Sequence, residues 1–176
     1  MKLDLHTHIF EATNIAHPDV DLVRQIVTKI TERGLDGIAI TEHRDKDYAY
    51  QVIEIVNRFF ANQVIIIPGQ EVCEAFHHVV ELYLPDGSTF RFVAHPGDGE
   101  LLERCFGYMD SIHGIEIENG GYHVAKEKAI EIAQKYDLLM LSNSDAHSLS
   151  DIGRYWNEID LAELCSRAKM KPKLQK

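Results

Sequence analysis

Leu3-Asp4-Leu5-His6-Thr7-His8 is the stretch that decides how this chain is read. Residues 2–5 form a short strand that runs straight into two histidines in alternate positions. Side chains at i and i+2 of a strand end share a face. Two imidazoles on one face at a strand mouth can ligate one metal ion. One H-x-H pair alone is weak evidence, because alternating histidines also occur on exposed strands. Its weight comes from the later strands, which end in ligand-type residues too.

The chain outward from this stretch alternates strands with helices. After a loop over 9–18, Asp19 or Asp21 caps a helix reaching residue 33, and Gly34 stops it. Leu22, Val23, Ile26, Val27 and Ile30 form its apolar stripe at helical spacing. Short apolar strands follow over 36–41 and 64–67, with a helix over 47–60 between them. The second of these strands stops at Pro68-Gly69. A β-rich region covers 72–95, with strands over 79–84 and 89–94 and a turn at Pro85-Asp86-Gly87-Ser88. A short helix over 100–105, a strand over 113–118, a helix over 123–136, a strand over 138–142 and a helix over 160–168 complete the pattern. Alternation of this kind predicts an α/β arrangement around a parallel sheet. Short, uniformly apolar strands suit a sheet covered on both faces.

His6, His8, His43, Glu71, His95, Asp145 and His147 all fall at or just past the C-terminal ends of these strands. That edge is where α/β barrels and open α/β sheets bind ligands. His78 is the exception, because it begins its strand; either that strand runs antiparallel or the barrel is irregular there. Imidazoles and carboxylates without a placed thiolate suit divalent ions of the zinc, manganese or iron kind. Seven or more candidate ligands oversupply one ion, so two or three ions sharing a bridging carboxylate are expected. Clustered ions of this sort activate water and clamp a phosphoryl group during in-line displacement.

Composition bounds the remaining possibilities. A length of 176 residues with 45% hydrophobic content predicts one domain with a full core. The net charge of −10 argues against general nucleic-acid binding. No apolar run approaches a membrane span. The strand-like start at Met1 does not read as a signal peptide. Cys73, Cys105 and Cys165 lack C-x-x-C spacing and read as reduced thiols, so a cytoplasmic setting is expected. The basic stretch 169–176 reads as a solvated tail after a domain over 1–168.

The seven short motifs carry a family resemblance. Asp4-Leu5-His6-Thr7-His8, Thr41-Glu42-His43, Gly69-Gln70-Glu71, His78-Val79-Val80, Ala94-His95-Pro96, Gly114-Ile115-Glu116 and Ser144-Asp145-Ala146-His147 follow one another in the order found in one family. In this the chain resembles the PHP (polymerase and histidinol phosphatase) superfamily of metal-dependent phosphoesterases. The resemblance implies a distorted TIM-like (β/α)7 barrel and a trinuclear centre. It places His6, His8, Glu71 and Asp145 on one ion, and His78 and His95 with the shared Glu71 on a second. His43 and His147 would hold a third, with one more ligand from the loop after the H-x-H pair. That loop departs from the family pattern; among Glu11, Asn14 and His17, the reading favours His17, then Glu11. Glu42 stands where the family more usually has aspartate.

Other polar groups have plainer readings. Glu116 either orients a ligating histidine or pairs with a basic residue. Arg44 and Arg154 are the best placed cations for a substrate phosphate, or they form surface ion pairs. The resulting expectation is a hydrolase of a phosphate ester, with Glu71, Asp145 and His147 at the reacting water. A phosphorylated small molecule, a nucleotide or an oligonucleotide end would be the substrate. Two rival readings are an amidohydrolase-like C–N or C–O hydrolase and a non-catalytic metal-binding module. The first usually needs a strand-end lysine, and the second is marked by lost ligands; the sequence shows neither feature.

Overall fold

The computed structural model describes residues 1–43, 45–106, 109 and 111–170. Eight strands form one sheet in the order β7-β6-β5-β4-β3-β2-β1-β8. They are β1 (Lys2–Asp4), β2 (Gly37–Ile40), β3 (Ile65–Glu74), β4 (His77–Tyr83), β5 (Thr89–Val93), β6 (Gly114–Asn119), β7 (Leu139–Asn143) and β8 (Asn157–Glu158). Six helices, α1 (Ile9–Thr13), α2 (Val20–Glu32), α3 (Asp47–Phe59), α4 (Gly99–Cys105), α5 (Lys126–Tyr136) and α6 (Leu161–Ala168), surround it.

The sheet curls into a nearly closed barrel. At the upper end, the continuation of β1 pairs in parallel with that of β7. Asp145 N–H donates to His6 O (2.9 Å) and His8 N–H to Ala146 O (2.9 Å). At the lower end β8 lies antiparallel to β1 and fills the seam. The Asn157 side chain there receives Ser142 N–H (2.9 Å) and donates to Ser142 O and Leu3 O.

Strand alternation sorts the apolar residues into three layers. Leu3, Leu5, Ala39, Ile67, Val80, Leu82, Phe90, Phe92 and Leu141 fill the barrel interior, and Leu164 of α6 joins them. Ile38 and Ile40 face outward onto α2 and α3. Val79, Val93 and Ile115 face outward onto α4 and α5. Asp19 caps α2 by accepting from Leu22 N–H at 2.8 Å, as the sequence predicts.

The β-rich region read over 72–95 interrupts the parallel β/α alternation in the middle of the chain. β3, β4 and β5 form an antiparallel meander with no helix between them. The antiparallel direction of β4 resolves the exception noted for His78. Its strand starts at the edge where the others end. β3 also does not stop at Pro68 but runs ten residues through it. Pro68 is tolerated because it closes the pairing with β2, opposite Ile40, while pairing with β4 begins at Gly69. The loop expected over 9–18 contains α1, whose five residues are too few to show a helical period.

Candidate metal centre

The upper barrel edge gathers the histidines and acids. His6 and His8 follow β1 and are fully buried. Their Nε2 atoms lie 3.1 Å apart. Glu71, on β3, lies beneath the cluster, with Oε2 3.4 Å from His6 Nε2, 3.2 Å from His8 Nε2 and 3.3 Å from His43 Nδ1. Its other oxygen, Oε1, is 2.8 Å from His78 Nδ1 and 3.2 Å from His95 Nε2. Asp145 Oδ1 approaches His6 Nε2 at 3.5 Å and His8 Nε2 at 3.3 Å. Its backbone takes φ 50°, a left-handed conformation that aspartate tolerates better than most residues.

Three sets of ligand atoms lie within 4.8 Å of one another among the described residues: His6–His8–Glu71, His43–Glu71–His78, and His8–Glu11–His43–His147. The structure therefore brings together His6, His8, His43, Glu71, His78, His95, Asp145 and His147. His17 is not in these sets. It is an exposed residue in the stretch between α1 and α2. Glu11, the second choice from sequence, stands in its place, with Oε2 3.2 Å from His147 Nε2 and Oε1 3.7 Å from His43 Nε2. The reason is α1, which starts directly after His8 and turns Glu11 back over the site. The helix then ends at Asn14 in the left-handed conformation, and the chain leads away before reaching His17.

The electrostatics of the cluster are self-compensating. Burial alone would raise the Glu71 carboxyl, but hydrogen bonds from His6, His8 and His95 outweigh it and hold the group far below its ordinary range. Asp145 follows the same pattern, with burial opposed by the charges of His6, His8 and His95. Burial pulls His6 down, but the Glu116 and Asp145 carboxylates raise it well above the usual imidazole value. Buried polar atoms remain without hydrogen-bond partners here: His8 Nδ1, Glu42 Oε2 and Asp145 Oδ1. Two facing imidazole nitrogens and an unpaired carboxylate oxygen in one buried pocket form a donor set suited to a divalent cation.

At the rim, Arg154 donates to Gly120 O at 3.2 Å. Gly120 borders a cavity of about 240 Å³ that is also lined by Tyr122, Asp145, His147 and Asp151. Arg44 lies outside the described residues.

Comparison with known proteins agrees with this geometry. Residues 123–169 match a family described as PHP-associated. No curated protein matches the sequence. The fold is similar to that of a protein from Bifidobacterium adolescentis provisionally described as a metal-dependent phosphoesterase. That match has a TM-score of 0.70 at 14% identity and covers 94% of this chain and 96% of that one. PsfC from Pseudomonas syringae matches with a TM-score of 0.61 at 18% identity, covering 86% of this chain and 78% of its own. An amidohydrolase from Chromobacterium violaceum, with bound sulfate and no metal, matches with a TM-score of 0.66 at 13% identity over 95% and 97% of the two chains. The family match lies over residues 123–169 and the structural matches share the fold, in agreement with the PHP resemblance carried by the sequence motifs.

Several groups supporting this site were open or unread in the sequence. Glu116 is fully buried on β6 and accepts from His6 Nδ1 (3.0 Å) and from His95 N–H (2.7 Å). It thus orients a site histidine, and no Arg or Lys among the described residues pairs with it. The second bond also holds His95, whose backbone sits at an unusual φ of 27°. Glu42 accepts Phe10 N–H at 2.8 Å and places Oε2 4.0 Å from His8 Nδ1. Asn119 donates to Asp145 Oδ2 at 3.1 Å and accepts Gly121 and Tyr122 N–H, which shapes the loop carrying Tyr122 onto His95. The Asn119-Gly120-Gly121 turn was the available signal for that loop. The partners of Glu42 were not legible locally, because Phe10 of α1 lies 32 positions away.

Proposed function

We propose that this protein is a metal-dependent phosphoesterase acting on a phosphate monoester of a small metabolite or nucleotide. The carrying observation is the buried contact of His6 Nε2 with His8 Nε2 at 3.1 Å, facing Glu71 and Asp145. Bringing two basic nitrogens and two carboxylates together in a buried pocket is favourable when cations lie between them. His6, His8, Glu71 and Asp145 would hold one ion. Glu71, His78 and His95 would hold a second, and Glu11, His43 and His147 a third. Zinc, manganese and iron suit this imidazole and carboxylate set.

When bound, such ions lower the pKa of a water nucleophile and offset charge on a transferring phosphoryl group. The chain's own residues would do the rest. Four carboxylates, Glu11, Glu71, Glu116 and Asp145, against three divalent ions would leave the pocket net positive, which favours a phosphate dianion. Asp145 Oδ1, 3.3 Å from His8 Nε2, would face the ion, where its carboxylate would orient a reacting water. His147 donates from Nδ1 to Asp145 O at 2.9 Å, which turns its Nε2 toward Glu11 and the open side of the site. Arg154 would meet the substrate phosphate from the Gly120 rim.

The amidohydrolase reading has less support. Its usual bridging lysine has no counterpart among the described residues, because the upper strand ends carry His43, Glu71, His95, Asn119 and Asp145 but no lysine. Retention of a full ligand set also disfavours an inert binding module. Protein purified without chelator should contain more than one transition ion per chain. It should hydrolyse phosphomonoesters in a panel of monoesters, diesters and amides supplied with manganese, zinc or iron. A fully loaded protein that turns over amides and no phosphoester would overturn the proposal.

A further inference from the structure

The geometry points to Asn143 and Asn157 as positioning residues. They act through Glu116 to keep a proton on His6 Nδ1 and leave Nε2 turned to the ion site. This inference rests on the metal reading for its purpose, while its physical content can be measured without metal.

The relay starts at the barrel seam. Asn157 accepts Ser142 N–H at 2.9 Å and donates to Ser142 O at 3.0 Å. Backbone groups cannot exchange donor and acceptor roles, so the orientation of this side-chain amide is fixed. Its Nδ2 also donates to Asn143 Oδ1 at 2.8 Å. Leu5 N–H donates to the same oxygen at 3.1 Å. Two donors on Oδ1 leave Asn143 one orientation, with its Nδ2 toward Glu116 Oε1 at 2.8 Å.

Glu116 is then surrounded by donors. Oε1 faces Asn143 Nδ2, and Oε2 receives His95 N–H at 2.7 Å and Asn119 Nδ2 at 2.8 Å. The Asn119 amide is itself fixed, because its oxygen accepts Gly121 and Tyr122 N–H. Three N–H donors on one carboxyl group match the carboxylate form, which only accepts. His6 Nδ1, 3.0 Å from Oε1, must therefore be the donor. The other ring nitrogen, Nε2, is the one facing His8, Glu71 and Asp145. Thus the contacts that close the barrel between β1, β7 and β8 also decide which nitrogen of His6 is presented to the ion.

The test uses the full chain, both metal-stripped and zinc-loaded. Nitrogen-15 NMR reads the His6 Nδ1 proton, assigned by its loss in His6→Gln. The expected wild-type result is a downfield, slowly exchanging Nδ1 proton in both states. Asn143→Leu should speed its exchange by about tenfold or more. The same variant should raise the zinc dissociation constant, measured by calorimetry, by about tenfold or more. Asn157→Leu serves if Asn143→Leu does not fold. Ile132→Val, in the layer between the barrel and α5, controls for simple destabilisation and should change neither readout. A folded Asn143→Leu or Asn157→Leu with an unchanged proton and unchanged zinc affinity would overturn the inference. A wild-type His6 lacking a protected Nδ1 proton would overturn it whether or not either variant folds. Absence of zinc binding in the wild type would instead count against the proposed function, and the proton in the stripped protein would still decide the relay.

Discussion

Glu71→Gln is the sharpest perturbation of the site. Five imidazoles stand within reach of this one carboxylate, from His78 at 2.8 Å to His6 at 3.4 Å. Glutamine keeps the shape and one oxygen ligand but removes the charge shared between neighbouring ion positions. At 4 Å and an effective permittivity near 20, a unit charge contributes about 8 kcal/mol toward a divalent ion. That value is a ceiling, because the amide oxygen still binds and water can reorganise. A third of it, about 2.7 kcal/mol, already corresponds to about a hundredfold. Metal affinity by calorimetry should therefore fall by about a hundredfold or more. Turnover of the best phosphomonoester should fall by at least about a hundredfold, the scale seen when a main electrostatic stabiliser is lost. The stripped variant should keep its thermal midpoint within a few degrees, while the midpoint gain on adding metal shrinks. Full metal content with near wild-type turnover would refute the reasoning.

Three further perturbations test other parts of the structure. Glu11→Ala should lower metal stoichiometry by one ion per chain, and His17→Ala should leave it unchanged, as read by elemental analysis after reconstitution. Gly37→Ala should destabilise by several kcal/mol or prevent folding, because its Cβ would lie 2.2 Å from Ile65 O across the β2–β3 pair; chemical denaturation measures this. His113 provides a pH test. Burial, then the nearby Arg91 charge, pushes its imidazole down to about 4, and Nδ1 accepts Arg91 N–H at 3.0 Å. Between about pH 6.5 and 4 the unfolded chain binds the extra proton. The contribution is therefore complete above 6.5 and lost as pH falls toward 4, by at most about 3 kcal/mol. His113→Asn should show a flatter acid limb than wild type in urea unfolding; matching slopes would exclude this role.

Much of the site's placement was legible because strand ends are marked locally. His6, His8, His43, His95 and Asp145 follow apolar runs, and such runs need no knowledge of partners to be seen. What was hidden depended on short or non-local features. The choice between Glu11 and His17 turned on α1, whose five residues lack a period. The direction of β4 turned on a hairpin whose tip, Ala75-Phe76, adopts positive φ values of 47° and 68° without glycine or asparagine to announce it. The role of Glu116 depended on His6, 110 positions away.

The joint between the continuations of β1 and β7 has a consequence for biosynthesis. Leu5 N–H reaches Asn143 across 138 positions, and Ser144 reaches Asp4 across 140. A chain emerging from the ribosome exposes His6 and His8 long before their opposing wall, because these separations span most of the sequence. Until then these two histidines stand in an open fragment without their opposing wall. Any ion that this pocket holds would therefore find its complete site only after residues 143–147 have left the ribosome.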